Sequence, residues 1–166
     1  KKTNTDISKS IEISSSAVEG VTESRMLRPN MMVVTTNIEG GPKPEESMEE
    51  ENEELAWQQR EKISKICKDI WSLEGSNNLK WLFITDDDID LRAKNWKRKL
   101  LWQLFCRFDV SRDIHFDDDK KRLAWDATAP IPSKKGDIPV RRWPAVTLHN
   151  SETIENVESI MKEMGY

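Results

Sequence analysis

The sequence predicts an α/β fold, a small layered domain with a short, mainly parallel sheet flanked by helices and a C-terminal amphipathic helix. Two apolar runs of strand length, at residues 31–36 and 80–85, supply the first observation. Each is followed by a stretch with apolar residues at helical spacing, which is the second. Turn signals between the runs are the third, and strands alternating with helices of this kind indicate an α/β layer.

Residues 1–30 are rich in Ser, Thr, Glu and Lys and show little periodicity, so they are expected to be a flexible leader or extension. The domain proper is expected over 31–166. It opens with the β-branched strand Met-Met-Val-Val-Thr-Thr at 31–36, which Gly40-Gly41-Pro42 ends. An acidic loop over 42–54 follows; seven of the eleven residues from Pro44 to Glu54 are Glu, and like charges this dense resist burial. The loop runs into a helix N-terminus, where acids are favoured. That helix is predicted over 55–71, with Ile63, Ile66, Cys67 and Ile70 on one face and Lys62, Lys65 and Lys68 on the other.

Gly75-Ser76-Asn77-Asn78 reads as a turn, and the continuous apolar run after it as a central strand that stops at Asp86-Asp87-Asp88. A second helix over 95–108 places Trp96, Leu100, Leu101, Leu104, Phe105 and Phe108 along an apolar stripe. Asp113-Ile114-His115-Phe116 is a short strand, and residues 117–144 form a long loop punctuated by Pro130, Pro132, Pro139 and Pro144. The last helix is expected to be capped by Ser151, to bury Ile154, Val157, Ile160 and Met161, and to close at Gly165.

Composition limits the function classes. Lys and Arg number 26 against 30 Asp and Glu, a net charge of −4 that argues against a chain built to coat nucleic acid. No apolar run approaches the roughly 20 residues that span a bilayer, so no membrane role is expected. The first residue is Lys1 and no apolar leader follows it, which predicts a trimmed or partial chain in the cytoplasm. Cys67 and Cys106 match neither a disulfide framework nor a CxxC zinc site and are read as thiols.

The chemistry-bearing residues cluster after the central strand. Carboxylates just beyond the carboxyl end of a buried strand lie where open α/β sheets bind ligands, and Asp86 and Asp88 suit a hard cation. One alternative is therefore a metal-dependent nucleotide-sugar or phosphoryl transferase using these two; the competing reading is a solvated acidic turn. Arg107, Asp109, Arg112 and Asp113 alternate in charge at a helix end, a pattern that locks a loop through charge-assisted bonds. Among seven Trp, Trp96 and Trp102 fall on the second helix, where indoles serve core and interface together. His115 and His149 have no partner motif, and no nucleophile elbow, glycine-rich phosphate loop or HExxH occurs.

The series from Leu82 to Trp143 resembles the C-terminal segment of UbiD-type decarboxylases. An apolar strand ends in Asp86-Asp87-Asp88-Ile89-Asp90, followed by Trp96 and Leu101-Trp102. Cys106-Arg107-Phe108-Asp109-Val110-Ser111-Arg112-Asp113-Ile114 is similar to the family's ATR-x-DP-x-RD element, with Val110 in place of Pro. Leu123-Ala124-Trp125-Asp126-Ala127-Thr128 is similar to its K-x-G-x-DAT element, with Trp125 in place of a small residue; Trp143-Pro144 follows. The resemblance implies non-oxidative loss of carbon dioxide from an aromatic or α,β-unsaturated acid. It also implies prenylated flavin mononucleotide, a divalent metal such as manganese, and potassium, all held by a central domain with a Glu–Arg–Glu set that has no counterpart here. The chain is thus expected to carry no catalytic residue. It would act as a C-terminal domain or small subunit joined to a larger catalytic chain or missing N-terminal portion. Arg107, Asp109, Arg112, Asp113 and Asp126 are expected to be structural. Trp96, Trp102 and the Ile154, Val157 and Met161 face are expected to mediate packing in an oligomer. A non-catalytic scaffold subunit is the remaining alternative.

Overall fold

The computed structural model describes residues 17–38, 51–134, 140 and 150–165. Within them a five-stranded sheet has the order β1-β2-β3-β5-β4, built from β1 (Val21–Arg28), β2 (Met31–Thr36), β3 (Trp81–Asp86), β4 (Ile114–Phe116) and β5 (Leu123–Asp126). The central pairs β2–β3 and β3–β5 are parallel, and the edge pairs β1–β2 and β4–β5 are antiparallel. This is the predicted α/β class, with the parallel pairing confined to the middle of the sheet.

Strand periodicity divides the sheet between two helices. Met32, Val34, Leu82, Ile84 and Ala124 point to one face, where α1 (Glu53–Ser72) contributes Ile63, Ile66, Cys67, Ile70 and Trp71. Val33, Phe83 and Trp125 point to the other, against Trp96 and Leu100 of α2 (Trp96–Arg107) together with Ile89 and Leu91. Each fully buried isoleucine of α1 contributes about 1.5–3 kcal/mol relative to exposure. Asn52 caps α1 by accepting from the Leu55 N–H, and Glu53 and Glu54 occupy its first turn. The acidic loop was expected to reach residue 54; its last two residues are helical, and residues 42–50 lie outside the described set.

Four expectations are corrected. Residues 21–28, assigned to a flexible leader, form β1, paired with β2 through a turn at Pro29 and Asn30. An edge strand exposed on one side accepts the polar residues Thr22, Glu23, Ser24 and Arg25, and these erase the apolar alternation by which strands are recognised. Residues 123–126, assigned to a long loop, form β5, inserted between β3 and β4. Four residues are too few to show periodicity, and the strand is fixed by its parallel register with β3.

The third correction concerns α2. Leu101 and Phe105 were expected on a buried stripe, yet they are 53 % and 86 % exposed, whereas Gln103 is buried. The buried residues of α2 are Trp96, Leu100 and Gln103, with Arg107 mostly buried one turn on, so this mixed face meets the sheet and the more apolar side of Leu101 and Phe105 lies outside. The fourth concerns α3 (Ser151–Glu163). Its cap is Asn150, accepting from the Thr153 N–H, rather than Ser151, although Gly165 follows with φ +83° as a C-terminal stop. Ile154, Val157, Ile160 and Met161 are 46–55 % exposed rather than buried.

Candidate functional site

The polar cluster of the domain lies where β3 and β5 end, beside the last turn of α2. Asp86 closes β3, and its Oδ2 accepts from Arg107 Nη1 at 2.5 Å and from the Ala129 backbone N–H at 2.9 Å. Arg107 reaches it because the residue sits on the sheet-facing side of α2, one turn beyond Gln103. Gln103 bridges the same two elements: its amide donates to Asp88 Oδ1 at 2.7 Å, and its carbonyl oxygen accepts from the Thr85 hydroxyl. Burial pushes the Asp86 carboxyl up to about 6, opposed by the Arg107 guanidinium and the Ala129 N–H.

Asp126, at the end of β5, faces the same interior. One of its oxygens accepts from the Thr128 N–H at 2.9 Å and the Thr128 hydroxyl at 2.7 Å. Desolvation pushes its carboxyl up to about 7; the bonds from Thr128 pull the other way, while the charges of Asp113 and Asp86 raise it further. Arg112 grips Asp113 with two parallel bonds of 2.5 and 2.6 Å and donates to the Arg107 carbonyl at 2.9 Å. Asp113 also accepts from the Asp109 N–H, and its own carbonyl accepts from the Asp126 N–H. Asp109 accepts from the Ser111 N–H, which holds its carboxyl below the usual range. His115 in β4 is shifted down by burial.

Arg107, Arg112, Asp113, Asp126 and Asp86 thus come together, as one network linking the ends of α2, β3 and β5, with Asp109 bracing the turn beside them. Trp96 lies in the core, with the cations of Arg25 and Lys97 over its ring, and Trp102 is half-exposed beneath the Arg107 guanidinium. Ile154, Val157 and Met161 stand apart on α3. Gln103, Thr85 and Thr128 were missed. The available signal for Gln103 was its position seven residues after Trp96, a polar break on the face that α2 buries.

Asp86 and Asp88, the candidate metal ligands, are engaged by Arg107 and Gln103, and among the described residues no group of three or more His, Cys, Asp or Glu is arranged to hold an ion. A flavin mononucleotide site needs a phosphate cradle and a flat apolar wall. The described residues do not fit that group. The guanidinium groups near Asp86 and Asp113 are spent on carboxylates. A separate cavity of about 400 Å³, lined by Glu19, Gly20, Asn37, Ile38, Lys62, Lys65 and Ile66, has Lys65 already paired with Glu19 and Asp69 and offers no aromatic wall. No helix among the described residues is long and apolar enough to cross a membrane.

A family model described as the 3-octaprenyl-4-hydroxybenzoate carboxy-lyase C-terminal domain matches residues 47–149. An uncharacterized protein of Archaeoglobus fulgidus is 25% identical over 112 residues, covering 60% of this chain and 23% of that protein. Among solved structures, the vanillic acid decarboxylase of Sedimentibacter hydroxybenzoicus in closed form shares the fold at a TM-score of 0.52 and 14% identity, over 90% of this chain and 30% of that one. An evolved dimeric form of the UbiD-class enzyme HmfF from Pelotomaculum thermopropionicum, solved in complex with prenylated flavin mononucleotide, aligns at a TM-score of 0.42 and 18% identity, over 75% of this chain and 25% of that one. The chain therefore spans less than a third of the length of these relatives. With its model matched across Asp86, Arg107, Arg112, Asp113 and Asp126, the chain belongs to the 3-octaprenyl-4-hydroxybenzoate carboxy-lyase C-terminal domain family, the C-terminal domain of UbiD-type decarboxylases.

Proposed function

We propose that the chain serves as the C-terminal domain or small subunit of a UbiD-like non-oxidative carboxy-lyase acting on an aromatic or α,β-unsaturated carboxylic acid. Its contribution is packing and oligomer assembly. The observation that carries this reading is the family match over residues 47–149 in a chain that spans only 23% and 30% of two larger relatives. The catalytic centre belongs to the companion chain or to an N-terminal portion, together with prenylated flavin mononucleotide, a divalent metal such as manganese, and potassium. There the bond between the carboxylate and the unsaturated carbon breaks, carbon dioxide leaves, and a proton takes its place.

Within this domain the interior network from Asp86 to Arg112 holds the carboxyl ends of β3 and β5 against α2, and so presents a fixed outer surface. Leu101, Trp102 and Phe105 on that surface have the composition of a binding face, since aromatic residues are enriched where proteins associate. Two free thiols, Cys67 and Cys106, suit a reducing, cytoplasmic setting.

Native mass spectrometry of the chain purified from its source tests this. The expected species contains a larger polypeptide, has a flavin-like absorbance, and releases carbon dioxide from an aromatic or unsaturated acid. A colourless monomer stabilised by manganese and a nucleotide sugar overturns the proposal and returns Asp86 and Asp88 to metal chemistry.

A further inference from the structure

On the α1 side of the sheet, beyond the carboxyl end of β2, the chain has a cavity of about 400 Å³. Ligand pockets run from roughly 300 to 1,000 Å³, and open α/β sheets take ligands beyond the carboxyl ends of their strands. The floor of the cavity is the open end of the β1–β2 hairpin. There the Asn37 N–H donates to the Gly20 carbonyl at 3.2 Å, which fixes the two strand ends side by side. Gly20 has φ +86°, a left-handed conformation that glycine adopts without strain. It also keeps the floor open, since a methyl group there would stand 3.2 Å from Ile66 Cδ1 and 3.9 Å from Ile38 Cγ1. Lys62, Lys65 and Ile66 line the opposite wall, three and four residues apart on one face of α1.

We propose that this cavity binds a small monocarboxylic acid with a short apolar body. Charge sets the head group. Lys65 is committed to Asp69 at 3.0 Å and to Glu19 at 3.5 Å, whereas Lys62 and the Asn37 side chain have no partner among the described residues. One uncompensated ammonium matches one negative charge, and the Asn37 amide supplies a donor for the second carboxylate oxygen. A phosphate dianion would leave a charge unmatched and would face the Glu19 carboxylate. The rest of the lining sets the body. Ile38, Ile66 and the lysine stems offer apolar surface that an inorganic anion cannot cover. The Asp86 network takes no part, because Asp86, Gln103 and Arg107 meet at the end of β3 on the α2 side. The inference does not depend on the carboxy-lyase reading, because every residue it uses belongs to this chain.

Proton–nitrogen correlation spectra of the full 166-residue chain, titrated with sodium hexanoate, are the test. Saturable shifts are expected at the backbone N–H groups of Gly20, Asn37, Ile38 and Lys62, with a Kd of about 1 mM. Hexanamide has the same body without the charge and is expected to bind ~10-fold more weakly. Inorganic phosphate has charge without the body and is also expected to bind more weakly than hexanoate. Lys62→Met should weaken hexanoate binding ~10-fold, Lys62→Arg should keep most of the affinity, and Lys68→Met should leave it unchanged. Lys62 and Lys68 are exposed, so the rest of the spectrum should be undisturbed. Absence of saturable shifts at those four residues overturns the proposal. So does hexanamide or phosphate binding as tightly as hexanoate, or full affinity in Lys62→Met.

Discussion

Arg107 Nη1 lies 2.5 Å from Asp86 Oδ2, joining the last residue of α2 to the last residue of β3, with both side chains at least four-fifths buried. The guanidinium also covers the ring of Trp102 on the outer surface. One residue therefore connects the interior carboxyl cluster to the exposed outer face of α2. The pair is polar in a place where solvation is scarce, so its members depend on each other.

Replacing Arg107 by Met should cost about 2–4 kcal/mol, because Asp86 would keep its burial and lose its cation. The double variant Asp86→Leu with Arg107→Met should cost less than the two single changes added together. Urea denaturation of all four proteins measures the coupling; strict additivity would mean that the pair contributes nothing beyond its separate members.

The carboxyls of Asp86 and Asp126 titrate above their ordinary value of 3.8, at about 6 and about 7. The folded state holds these protons longer than the unfolded chain, so their stabilising contribution is complete below about pH 4. It is lost as pH rises through 6 and 7. Thermal melts between pH 4.5 and 8 should show Tm falling across that window, with a shallower fall in Asp126→Asn. An identical slope in the variant would remove Asp126 from the account.

Gln103→Leu should lower stability by about 1–3 kcal/mol despite its greater apolarity. The carbonyl partner of the Thr85 hydroxyl and the donor to Asp88 disappear together from a buried position. Guanidinium denaturation reads the change, and a stabilised variant would show that the network is dispensable.

Arg112→Lys keeps the charge and loses the two-pronged grip on Asp113 and the bond to the Arg107 carbonyl. A loss of about 1–2 kcal/mol is expected, with Arg112→Ala losing more. Hydrogen exchange should localise the opening to the Asp109–Asp113 turn, whose backbone N–H groups depend on these side chains.

The sequence by itself determined the α/β class, the strands at β2, β3 and β4, the helix positions and the family. Those features rest on local spacing: Ile63, Ile66, Cys67 and Ile70 must share a face of any helix that contains them, and Leu82 and Ile84 must share a face of any strand. It also marked Arg107, Asp109, Arg112 and Asp113 as a charge-locked group; in the structure Arg112 pairs with Asp113, whereas Arg107 pairs with Asp86 on β3. Only tertiary structure decided which face of α2 meets the sheet. Leu101 and Phe105 have the same hydrophobicity as residues that are buried, and Gln103 earns its interior place through partners contributed by β3 and the loop after it. The same holds for β1 and β5, whose strand state comes from the neighbours they pair with. Asp126 meets Asp113 and Asp86 only because β5 lies between β3 and β4, an order of strands that no local pattern encodes.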